Sequence, residues 1–89
     1  MELRDFNLAM KEMKLILGAE LETEPAALPG FLKVTNVKVE GEHQLLIRLD
    51  GDEITEVVKL HRKTPRKMDP EDFIYEVRES AFDGEPTIS

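Results

Sequence analysis

The sequence predicts an α+β fold of two layers, in which an N-terminal and a C-terminal helix cover a three-stranded antiparallel β-meander in the order αβββα. Three observations carry this expectation. Apolar residues recur at helical spacing at the start and near the end of the chain, they alternate in between, and glycine turn signals separate the alternating runs. A length of 89 residues suits a single small domain spanning 1–89.

The first helix is expected from about Asp5 to Ala19. Leu3, Phe6, Met10, Met13 and Leu17 follow one another at alternating spacings of three and four, which stacks them on one face. Asp5 suits the N-cap, and Gly18 suits a left-handed residue near the end. Continued helix would put Leu8 and Leu15 one heptad apart on the opposite face, beside Arg4 and Lys11. Such a helix is apolar on two sides.

Glu20 to Gly30 reads as a loop, with Pro29-Gly30 at the centre of a type II turn. The first strand is expected over Phe31–Glu40. There Leu32 and Val34 are out of phase with Val37 and Val39, so a bulge near Thr35-Asn36 would bring all four to one face. The second strand, Gln44–Leu49, turns Leu45, Ile47 and Leu49 to one side and Leu46 and Arg48 to the other. Asp50-Gly51 then signals a type I′ hairpin. The third strand, about Glu53–Leu60, is expected to turn Ile54, Val58 and Leu60 inward and Thr55, Val57 and Lys59 outward.

His61 to Met68 reads as a basic connection broken by Pro65. Asp69-Pro70-Glu71-Asp72 is the plainest local signal in the chain: a capping acid, a first-turn proline and two acids at the positive end of a helix dipole. The second helix should run to about Phe82 and stop at Asp83-Gly84. Phe73, Ile74, Val77 and Ala81 form its apolar face, and Asp72, Glu76, Glu79 and Asp83 an acidic stripe opposite. Residues 85–89 read as a frayed tail.

Charge bounds the function. Nineteen acids against twelve bases give −7, yet Lys59, Arg62, Lys63, Arg66 and Lys67 fall within nine residues. Without those five, seven bases face nineteen acids, a balance of −12. The absence of cysteine excludes disulfides, thiolate zinc sites and thiol nucleophiles. Together with scarce Gln and Asn, it also leans toward a thermophilic source. The N-terminus carries no basic start followed by an apolar run, and no apolar run nears the roughly 20 residues of a bilayer span, so a cytoplasmic protein without a membrane contact is expected.

Enzymatic chemistry is not expected. Ser80 and Ser89 lie in no recognisable nucleophile turn, and the glycines are isolated turn makers rather than a phosphate loop. Asp50, Asp52, Glu53 and Glu56 crowd one hairpin with oxygens that suit calcium, but their spacing departs from an EF-hand. Glu40, Glu42 and His43 make a sparse set for a transition metal. Neither metal nor cofactor is expected.

Two binding classes remain. The basic segment and the helix–three strands–helix order resemble the double-stranded-RNA-binding domain, a resemblance of element order across most of the chain without a shared motif. It implies phosphate contacts by Lys59, Arg62, Lys63, Arg66 and Lys67. In that family, however, lysines begin the second helix, where this chain has Asp69-Pro70-Glu71-Asp72. The leading expectation is therefore a small acidic interaction or regulatory protein. It would use Leu8 and Leu15 on the outer helix face and the stripe Asp72, Glu76 and Glu79, toward a protein partner that could be a second copy. A third class, an acidic mimic of nucleic acid, rests only on the −12 balance.

Overall fold

The computed structural model describes residues 1–38 and 43–79, and within them two helices stand against an antiparallel sheet of five strands. The elements are α1 (Leu3–Glu12), β1 (Thr23–Pro25), β2 (Leu32–Val34), β3 (His43–Asp50), β4 (Glu53–His61), β5 (Thr64–Met68) and α2 (Pro70–Glu79). The strands neighbour one another in chain order, β1-β2-β3-β4-β5. The α+β class and the meander hold. The expected three strands become five because the loop after the first helix contains β1 and the basic connection is itself β5.

Each added strand has a local cause. Pro29 and Gly30 form the expected turn: Gly30 takes φ 84 and the Phe31 N–H donates to the Leu28 carbonyl at 3.2 Å. That turn folds Thr23–Pro25 back onto Leu32–Val34. At the other edge, His61 pairs with Thr64 across the two-residue connection Arg62-Lys63, with Arg62 at φ 61. Proline is tolerated here because both Pro25 and Pro65 lie on edge strands, where a missing N–H removes no internal ladder bond.

The first helix is shorter than its periodicity suggests. It ends at Glu12, and Lys14 turns left-handed at φ 59. The Lys14 N–H then donates to the Lys11 carbonyl at 3.0 Å and the Leu15 N–H to the Met10 carbonyl at 2.9 Å. This is a Schellman close, with Leu15 at the position whose side chain packs back on the helix. Leu15 accordingly lies half-buried against the core. The outer stripe of Leu8 and Leu15 does not form. Nor does Asp5 cap the helix; it sits in the first turn of a helix whose N-cap is Glu2.

Beyond Leu15 the chain is fastened by its two asparagines. The Asn36 side chain donates to the carbonyls of Leu17 and Glu20 at 2.7 and 2.8 Å and accepts from the Glu22 N–H at 2.9 Å. Asn7 accepts from the Leu21 N–H at 2.9 Å. Ile16 bridges Val37, so the chain leaves β2 at Val34 to pair with this loop instead of continuing as one long strand. Leu32, Val34 and Val37 do reach one core, as the phase shift requires. Val39 lies outside the described residues.

The β3–β4 hairpin corrects a phase. Arg48 opposes Glu56 while Leu49 opposes Ile54, leaving Thr55 as an extra residue. One residue of slip exchanges the faces of everything that follows. Val57 and Lys59 therefore face the helices, and Val58 lies on the opposite face, the reverse of the simple alternation. The turn also moves by one residue: Gly51-Asp52 are central, with φ 65 at Gly51 alone, as a type II′ turn wants.

The main core lies between the helices and the sheet. Phe6 of α1 stacks on Phe73 of α2 at 5.9 Å between centroids, above Leu45, Ile47, Ile54 and Val57. Phe73, Ile74 and Val77 are buried as the periodicity predicts. Ala81, Phe82, Asp83 and the tail 85–89 lie outside the described residues. No helix among the described residues is long and apolar enough to cross a membrane.

Candidate interaction surface

β5 alternates, and its alternation divides the basic segment between the two sides of the sheet. Arg66 pairs with Lys59 across the ladder and shares its face, toward the helices; Lys67 pairs with Val58 and shares the other. Lys59 is buried at 5% exposure, and its Nζ lies 3.1 Å from Oε1 of Glu76 on α2. The Arg66 guanidinium lies 2.8 Å from Oε2 of the same carboxylate. Glu76 thus takes one cation on each oxygen, and this part of the acidic stripe is met within the chain. Asp72 and Glu79 stay exposed beside Tyr75, in a shallow depression that Arg66 also lines.

Among the described residues, no helix lies on the opposite sheet face. Its floor is Phe31, Leu46 and Val58, all buried, with Ala26 packed against them. Phe31 reaches this face by alternation with Leu32, which faces the main core, and the Ala26 N–H donates to the Phe31 carbonyl at 3.2 Å. Beside this cluster lies a groove of about 530 Å³. Its apolar lining includes Leu28, Leu46, Val58 and Leu60, and Arg62, Lys63 and Lys67 stand around it. Leu60 was expected inward; the Thr55 bulge places it here. The pairing of Lys33 with Leu46 puts a further cation on this face.

The other candidate residues scatter. Leu8 is 53% exposed on the outer side of α1, in a depression that Arg4 and Lys11 also line. The hairpin-tip acids border the turn. The Asp52 carbonyl accepts the Leu3 N–H at 2.7 Å, and the Glu53 carboxylate lies 3.6 Å from the terminal amino group. Glu56 lies opposite Arg48, on the uncovered face. Among the described residues no three His, Cys, Asp or Glu side chains converge as a metal site. His43 and His61, eighteen positions apart, stack at 4.2 Å across the hairpin, a pairing that only the strand register reveals. Glu40, Glu42, Ser80 and Ser89 lie outside the described residues.

Sequence reasoning missed the groove. Its signal was present in the aromatic residue directly after a proline-glycine turn and in the lysines alternating with apolar strand residues, but neither identifies a face until the bulge is known. No protein-family model, curated protein or solved structure matches this chain.

Proposed function

We propose that this protein is a small, non-enzymatic interaction domain that binds a protein partner through the uncovered face of its sheet. The observation that supports this most directly is the groove bordered by Leu46, Val58 and Leu60, apolar at its base and basic at its rim. Leu46 and Val58 are buried at its base, and the apolar side chains that a partner would meet there are Leu28 and the half-buried Leu60.

Two geometric facts favour this site over the alternatives. A phosphate-binding strip needs its cations on one surface, whereas Lys59 and Arg66 turn to the helices and engage Glu76. A self-association in which the basic segment of one copy meets the acidic stripe of another competes with that same intrachain contact. Leu8 and Leu15 do not supply a joint apolar face, because one is exposed and the other packs on the core.

Comparative capture tests the proposal. Immobilised wild-type chain should retain a protein that Leu60→Ser loses and Leu8→Lys keeps, with circular dichroism unchanged in both variants. Identical capture by all three chains overturns it.

A further inference from the structure

The chemistry of the groove narrows the partner. The lining is aliphatic, with Leu28 and Leu60 at the surface over the buried Leu46 and Val58, and the rim is cationic, with Lys63 and Lys67 exposed on it. A complementary ligand needs an apolar stripe flanked by acids. We propose that the groove takes an acidic amphipathic helix of another protein, with its apolar face on the floor and its carboxylates at the rim. This rests on the uncovered sheet face being the interaction surface.

Helical presentation follows from the sheet edges. Strand addition needs a row of backbone donors, and both edge strands are short and interrupted by proline, Pro25 in β1 and Pro65 in β5. A helix laid on the face needs no such donors. It reads the groove through side chains at spacings of three and four.

Other occupants match less well. Nucleic acid would bring phosphates to the rim, but the aromatic ring of the floor, Phe31, is buried and offers no open face on which a base could stack. A second copy would have to present acids and apolar side chains on one element. Its α2 exposes Asp72 and Glu79 with Tyr75, while Phe73, Ile74 and Val77 are buried. Its α1 exposes a single apolar side chain, Leu8, among Arg4, Asp5, Lys11 and Glu12. Neither helix exposes a stripe of apolar side chains, α2 offering Tyr75 alone.

The test uses the full chain, isotopically labelled, and defined probes. The first is a helical peptide of about 14 residues, four turns, with leucine at spacings of three and four and glutamate elsewhere. The second replaces every glutamate by lysine. The third is an RNA duplex of about 16 base pairs. Light scattering on the unliganded chain runs alongside. The glutamate peptide should shift the amide signals of Leu46, Val58, Leu60 and Lys67 and leave those of Leu8 and Lys11 in place. Lys63→Glu with Lys67→Glu, both at exposed positions, should weaken it by about tenfold or more. Equal binding of the lysine peptide, duplex-induced shifts of the same signals, or self-association through them would each overturn the acidic-helix partner while leaving the face as an interface. If the glutamate peptide moves none of these signals, the partner class falls. If in addition Leu60→Ser captures what the wild type captures, the uncovered face falls with it.

Discussion

Lys59 Nζ lies 3.1 Å from Glu76 Oε1 across the interface of β4 and α2, and Lys59 is 95% withdrawn from solvent. The contact joins the basic segment to the acidic stripe inside one molecule. It ties the second helix to the sheet by charge as well as by Phe73 and Val77; of the five clustered cations it withdraws Lys59 from the surface, and the exposed Arg66 engages the same carboxylate.

The two ends of this pair are not equivalent. Removing Glu76 takes away a carboxylate in contact with a buried ammonium, whereas removing Lys59 leaves Glu76 with Arg66 and partial solvent access. Glu76→Gln should cost about 2–3 kcal/mol of unfolding free energy, below the full penalty of a wholly buried pair because Glu76 is partly exposed. Lys59→Met should stay within about 1 kcal/mol of wild type, its methylenes replaced by an apolar chain of similar length. Urea melts of the two variants check the asymmetry; equal losses would contradict it.

Leu8 and Leu15 should behave as opposites. Leu15 closes the end of α1 and packs on the core, so Leu15→Lys should lower stability by about 2 kcal/mol or more. Leu8 lies on the outer helix face, and Leu8→Lys should fall within about 0.5 kcal/mol. Thermal unfolding of both variants separates this arrangement from a continuous helix, in which the two leucines would respond alike.

Lys14 holds a left-handed backbone at φ 59 that L-residues adopt at a cost. Lys14→Gly should therefore stabilise the protein by about 0.5–1 kcal/mol, after the glycine's larger unfolded-state entropy is counted. A rise in the denaturant midpoint at unchanged slope is the expected signature.

Asn36 makes three hydrogen bonds to the backbone of the loop that follows α1. At roughly 0.5–1.5 kcal/mol each, Asn36→Ala should cost about 2–4 kcal/mol. Asn36→Asp should cost at least as much, since a carboxylate cannot donate and would face the carbonyls of Leu17 and Glu20. Hydrogen exchange should show the Leu17, Leu21 and Glu22 amides losing protection first.

How legible each part was depends on the range of its cause. The capping sequence Asp69-Pro70-Glu71-Asp72 and the periodicity of Phe73, Ile74 and Val77 specify α2, because a helix end is settled within one turn. The Pro29-Gly30 turn was equally local and formed as expected. The periodicity of Leu3, Phe6 and Met10 located α1 but overran its end. Lys14 is an ordinary helix former in isolation, and only the packing of Leu15 and Ile16 against the core favours the left-handed turn there.

By itself the sequence determined the α+β class, the meander order, the second helix and the position of the basic segment, all of which follow from side-chain patterns over a few residues. Tertiary structure decided which face each side chain serves. One extra residue, Thr55, exchanges Val57 with Val58 and thereby buries Lys59 under Glu76 while turning Lys67 and Leu60 to the open side. A bulge leaves almost no local trace because its cost is repaid by burial across the whole hairpin, where Ile54 and Val57 both reach the helices. That long-range repayment, summed over strands and helices far apart in the chain, is what converts a basic segment into a basic-rimmed groove.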